Sequence, residues 1–81
     1  MPMDDLAWTK RMLGAFIEQT CLSEEEQAVL TDWAKGRTVV HTAMSRSIST
    51  RTVNRIRKKL RGLYDIVQPY TPELPPRNTR S

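Results

Sequence analysis

Val53, Ile56, Leu60, Leu63 and Val67 follow one another at spacings of three and four residues, shortly after Ser49. That spacing places all five on one stripe of a single helix, and Ser49 supplies the side-chain oxygen that an N-cap needs. A helix with one apolar stripe has to bury it against other elements, so the rest of the chain must furnish them. The opposite face of the same helix carries Arg51, Asn54, Arg55 and Lys58, at i, i+3, i+4 and i+7. The stripe also fits two heptads. A coiled-coil seam needs three or four, so packing into a core is the expected use.

Three further segments supply that core. The first runs from about Asp4 to Gln19, where Pro2 and two acids suit a helix start. Leu6, Leu13, Phe16 and Ile17 form its stripe, widened by Trp8 and Met12, and it breaks at Thr20-Cys21-Leu22. In the second, Ser23 precedes Glu26 by three positions, the spacing of a capping box, and Glu24 and Glu25 suit the positive end of the helix dipole. Val29, Leu30, Trp33 and Ala34 are expected to face the core before Gly36 stops the helix. A short third helix is expected from Val39 to Arg46 behind Thr38, with Val40, Ala43 and Met44 inward. Ser45 to Ser47 read as a tight connection and Ile48 as a buried turn residue. Beyond Gln68, Pro69, Pro72, Pro75 and Pro76 exclude helix. The predicted fold is therefore all-α, a small four-helix domain containing a helix-turn-helix. Residues 1–67 form the domain, its helix-turn-helix core spans about 38–64, and 68–81 form an extended Pro-rich tail laid over it through Tyr70 and Leu74.

Charge is segregated along the chain. Residues 1–36 hold seven acids and three bases, whereas residues 37–61 hold eight bases (Arg37, Arg46, Arg51, Arg55, Arg57, Lys58, Lys59 and Arg61) and no acid. Solvated helix faces usually mix signs, so this pattern points to a polyanionic partner, and nucleic acid is the first candidate. An 81-residue chain has little room for a deep catalytic cleft, so a binding module rather than an enzyme is expected. Cys21 and His41 are single and lack partners for catalysis or metal binding, and no cofactor is expected. No apolar run approaches the roughly 18–20 residues that span a bilayer, and Met-Pro-Met-Asp-Asp does not resemble a signal peptide; a cytoplasmic location away from membranes is the expectation.

Two short helices joined by a tight turn, the second basic and Ser-capped, describe a helix-turn-helix. Leu22-Ser23-Glu24-Glu25-Glu26-Gln27-Ala28-Val29-Leu30, then Ala34-Lys35-Gly36, then Ala43, then Ile48-Ser49-Thr50-Arg51-Thr52-Val53 resembles the LuxR-type DNA-binding domain. The same residues are similar to region four of bacterial sigma factors. The resemblance runs without a gap from about Leu22 to Leu63, roughly half the chain, and departs from the pattern at Thr42 and Arg46, where apolar residues are usual. Val40 and Met44 are expected to supply the missing core contacts on a rotated helix. The run Tyr64-Asp65-Ile66-Val67-Gln68-Pro69-Tyr70, with Leu74-Pro75-Pro76-Arg77, also resembles small helix-turn-helix proteins of phage and mobile elements.

The resemblance implies a sequence-specific regulator of transcription that reads double-stranded DNA with a basic helix in the major groove. A recognition helix meets bases mainly with its N-terminal residues, which makes Thr50, Arg51, Asn54 and Arg55 the expected base contacts. Arg37, Thr38, Arg46, Ser47, Arg57, Lys58, Lys59 and Arg61 are expected at phosphates. One such helix covers few base pairs, so a homodimer is expected, through the first helix or the end of the fourth. Two alternatives stay open: a sigma-like adaptor that also contacts RNA polymerase, and a protein-interaction module whose basic helix grips an acidic partner. Pro72-Glu73-Leu74-Pro75-Pro76-Arg77 fits a Pro-x-x-Pro-x-Arg peptide, but a strap over the core is its expected role.

Overall fold

All four helices open on a Ser or Thr whose hydroxyl oxygen accepts from the backbone N–H three residues on. The pairs are Thr9 with Met12, Ser23 with Glu26, Thr38 with His41 and Ser49 with Thr52. The computed structural model describes residues 8–76, and these caps set the order α1 (Lys10–Gln19), α2 (Glu24–Ala34), α3 (Val39–Arg46) and α4 (Thr50–Val67). A 3-10 turn, Gln68–Tyr70, follows directly, and there is no strand among the described residues. The capping box of α2 is complete, with Ser23 N–H donating to Glu26 Oε1 at 3.0 Å and Glu26 N–H to Ser23 Oγ at 3.2 Å. Gly36, at φ 79°, ends α2 as expected. Ser47 adopts the left-handed conformation after α3, where Ile48 N–H reaches back to Ala43 O at 3.0 Å.

α1 differs from the sequence expectation at its start. Trp8 lies before the helix and the extended Thr9 is the cap, so the helix opens at Lys10 rather than near Asp4; Asp4 and Leu6 lie outside the described residues. Trp8 instead packs edge-on against Phe16 and Tyr64, with ring centroids 5.9 and 5.7 Å away. Such edge contacts between large aromatics add to the burial itself.

α4 is the element every other one packs on. Val53, Ile56, Leu60 and Tyr64 are buried on it, α2 adds Val29, Leu30 and Trp33, and α1 adds Met12 and Phe16. Leu63 and Val67, expected on the stripe, sit half-buried at its edge while Tyr64 takes the central place. Each fully buried Leu or Val contributes roughly 1.5–3 kcal/mol, so this stripe dominates folding.

α3 is turned the other way from the expectation. Val40 and Met44 are 59% and 78% exposed, whereas Thr42 and Ala43 are buried. Arg46 explains the rotation, because its guanidinium is drawn inward to the Asp32 carboxylate on α2. With Arg46 on that side, Ala43 and Thr42 lie about one turn before it and Val39 about two, on the same face. Thr42 thereby buries a hydroxyl that has no hydrogen-bond partner. Ile48 is half-buried against the core.

The segment after α4 is more folded than an extended tail. Thr71 donates its hydroxyl to Val67 O at 2.9 Å, Gln68 Nε2 donates to Leu74 O at 3.2 Å, and the Tyr64 hydroxyl donates to Pro75 O. Leu74 is buried in the core, as a strap requires, but Tyr70 stays 83% exposed. Arg77 lies outside the described residues.

Two outcomes follow from these contacts. Thr42→Val keeps the shape and removes the unsatisfied hydroxyl, so urea unfolding should show a gain of about 1 kcal/mol; a loss would mean the hydroxyl is paired in solution. Glu26 has its pKa held below the ordinary 4.5 by hydrogen bonds from Lys59 and the Ser23 N–H. Its contribution to stability is complete above that ordinary value and is lost as pH falls through the lower folded value. Glu26→Gln should therefore flatten the acid limb of the urea midpoint measured against pH, and an unchanged limb would show that other carboxylates carry it.

Candidate nucleic-acid interface

The outward side of α4 follows from its buried side. Opposite Val53, Ile56, Leu60 and Tyr64 stand Arg51, Asn54, Arg55 and Lys58, all exposed. Thr50 opens the helix and is exposed beside Ser47 and Ser49 of the turn. Arg51, Arg55 and Lys58 enter no ion pair among the described residues. Their charge is therefore available to a partner outside the chain.

The remaining cations have internal uses. Arg46 holds Asp32 through two bonds, Nη2 to Oδ1 at 3.0 Å and Nε to Oδ2 at 3.3 Å, a bidentate geometry only arginine provides. The Asp32 side chain is 4% exposed and that of Arg46 40%, so the carboxylate is buried and the guanidinium covers it. Arg57 lies with its guanidinium carbon 4.6 Å from the Trp33 ring centroid, and Arg61 lies 5.7 Å from it. Arg57 Nη2 also donates to Arg37 O at 2.9 Å, which fixes the chain entering α3. Lys59 Nζ pairs with Glu26 Oε2 at 2.7 Å. Of the residues expected at phosphates, these four act first as struts between α4, α3 and α2.

Arg37, Thr38, Ser47 and Lys58 remain outward. Arg37 and Thr38 are exposed at the start of α3, and Arg37 Nη1 sits 2.8 Å from His41 Nε2. Together with Trp33, Gly36 and Arg57 they line a shallow concavity. The free N–H groups of a helix start make this a favourable place for an anion. The structure thus separates an exposed polar and basic line on α4 from a basic shoulder at the α2–α3 junction, and the cations of both belong to the stretch without an acid.

Sequence reasoning did not pick out Asp32 or the Trp33–Arg57 stack. A signal existed for the first. Asp32 sits among Val29, Leu30 and Trp33, and Arg46 stands where an apolar residue is usual, so two opposite charges occupied inward positions. Nothing in linear spacing brings residues 33 and 57 together.

Among the described residues there is no cluster of three or more His, Cys, Asp or Glu placed to hold a metal ion, and no helix is long and apolar enough to cross a membrane. Comparison with protein-family models, with curated proteins and with solved structures gives no match.

Arg46→Ala should expose how much the strut contributes. It leaves the Asp32 carboxylate buried without its cation, and urea unfolding is expected to show a loss of about 2 kcal/mol, reduced from the fully buried case because Arg46 is partly solvated. Asp32→Asn in the same background should recover part of that loss; a loss below about 0.5 kcal/mol would make the pair a surface contact.

Proposed function

We propose that this protein binds double-stranded DNA by laying the first half of α4 in the major groove, and that it regulates transcription from there. One observation carries the reading: Arg51, Asn54, Arg55 and Lys58 share the exposed face of a helix whose other face is core, and their charges are not paired internally. Arg can hold guanine O6 and N7 with two bonds, and Asn can hold adenine N6 and N7. Thr50 is placed to join them, and Arg37, Thr38, Ser47 and Lys58 suit the flanking phosphates. The resemblance to LuxR-type and sigma region-four domains, carried by Leu22–Leu30 and Ile48–Val53, supports the same role.

A second reading is favoured by Val40 and Met44, which form an exposed apolar pair one turn apart on α3. It makes the protein an adaptor that touches RNA polymerase as well as DNA. Co-purification with the polymerase core enzyme, abolished by Met44→Ser, would support it over a stand-alone regulator.

The deciding experiment is an anisotropy titration of a randomised duplex pool at several salt concentrations, with the bound fraction sequenced. Affinity should fall steeply with salt, because each neutralised phosphate releases counterions. Arg51→Ala and Asn54→Ala should each cost roughly 1–3 kcal/mol on the enriched site and relax preference at one base pair. Lys58→Ala should weaken all duplexes alike and lower the salt slope by about one. No duplex binding at low salt would overturn the reading in favour of an acidic protein partner.

A further inference from the structure

We infer that His41 grips a DNA phosphate beside Arg37 as an imidazolium, so that the chain takes up a proton on this shoulder when it engages a duplex. The inference rests on the duplex reading and adds to it a contact residue and a pH dependence. Arg37 Nη1 lies 2.8 Å from His41 Nε2, and both residues are exposed. A guanidinium stays protonated and offers donors alone. In this contact Arg37 therefore donates and Nε2 accepts, which leaves the ring neutral with its proton on Nδ1.

Protonation of Nε2 turns that acceptor into a donor, and the contact becomes one between two cations. The groups around it offer the second charge no balance. From α2, Asp32 faces α3, but both of its carboxylate oxygens accept from Arg46. Lys35, at the end of α2, is a further cation. From α4, Arg57 donates to Arg37 O and lies with Arg61 over the Trp33 ring, so this side too adds only positive charge. Neither His41 nor Arg37 pairs with a carboxylate among the described residues. The missing partner is an anion from outside the chain.

A duplex phosphate fits that place. Arg37 lines the shallow concavity with Thr38 and Arg57, and its guanidinium carries donors beyond the one given to His41. A phosphate oxygen set against Arg37 can accept from a protonated Nε2 as well, so charge-assisted bonds to one anion replace the contact between the two side chains. Histidine is suited to this because its charge changes between about pH 5 and pH 8. The chain holds one histidine, and duplex phosphates keep their charge over that range. Since the complex holds more protons than the free chain, affinity rises as pH falls.

Anisotropy titrations of the randomised duplex pool at about pH 6 and about pH 8, at matched ionic strength, test this. The full chain should bind roughly fivefold tighter at the lower pH, and its salt slope should steepen there by about one phosphate contact. Calorimetric titration near neutral pH, in two buffers of different ionisation heat, counts the proton directly and should record uptake of a fraction of a proton per chain bound. In His41→Gln, whose amide oxygen keeps an acceptor for Arg37, both the pH dependence and the uptake should vanish. Equal affinity at the two pH values, zero uptake, or a pH dependence that persists in His41→Gln would each overturn the proton-linked contact while duplex binding itself stands. No duplex binding at either pH would overturn the duplex reading and this contact together.

Discussion

The bidentate pair of Arg46 with Asp32 fixes more of this molecule than its two residues suggest. Asp32 is placed by α2, whose burial of Val29, Leu30 and Trp33 turns the carboxylate toward α3. The main-chain oxygen of Asp32 also accepts from Lys35 and Arg37 N–H, at 3.2 and 3.0 Å, so the end of α2 and the entry to α3 are tied at the same residue. Once the carboxylate is buried, a cation has to meet it, and Arg46 is on the last turn of α3. That requirement sets the rotation of α3, which in turn sets where Ser47 leaves the helix and where α4 begins. The exposed Val40 and Met44 and the unsatisfied Thr42 hydroxyl are consequences of the same rotation. An apolar pair could have filled the space at lower desolvation cost; what the ion pair adds is a defined register.

A stretch of eight like charges would oppose folding if all of them faced one another. The fold divides them. Arg46 and Lys59 meet acids on α2, and Arg57 and Arg61 lie over the Trp33 ring, whose π face accepts a cation without neutralising it. Arg57 adds a bond to the Arg37 carbonyl, so the shoulder before α3 is held by the helix it adjoins. Repulsion along the outward line of α4 is thus left to Arg51, Arg55 and Lys58, where solvent and salt screen it. Internal struts and outward-facing cations alternate along a single helix because 3.6 residues per turn send neighbours to different sides.

The parts of this arrangement legible in the sequence are those that depend on local periodicity. The Ser23, Thr38 and Ser49 caps, the stop at Gly36 and the stripe of Val53, Ile56 and Leu60 need only spacing and residue type. The outward line Arg51, Asn54, Arg55 and Lys58 is the complement of that stripe and comes with it. The rotation of α3 was misread because an apolar count favoured Val40 and Met44, whereas a charge pair fourteen positions apart decided it. The start of α1 was misread because Asp4 and Asp5 looked like a first turn, while Thr9 offered a hydroxyl nearer the stripe. The division of basic residues into internal struts and outward-facing cations depended on tertiary pairs, Arg57 with Trp33 and Lys59 with Glu26, that no local pattern encodes.

The far end of α4 explains how so small a domain can leave the first half of that helix open to solvent. A core in a chain of this size has little surplus burial, and the first half of α4 gives one whole face to solvent. The deficit is made up at the other end, where Tyr64 is wholly enclosed by Trp8, Phe16 and the strap. Leu74 closes that end from outside the helical register, and Thr71 and Gln68 hold the strap in place through backbone carbonyls. Stability is therefore concentrated away from the exposed line of Arg51, Asn54, Arg55 and Lys58. Substitutions at Tyr64 or Leu74 act on folding and those at Arg51 or Asn54 act on the surface, since about 15 Å or more of helix separates Tyr64 from Asn54 and independent sites at such distances behave additively.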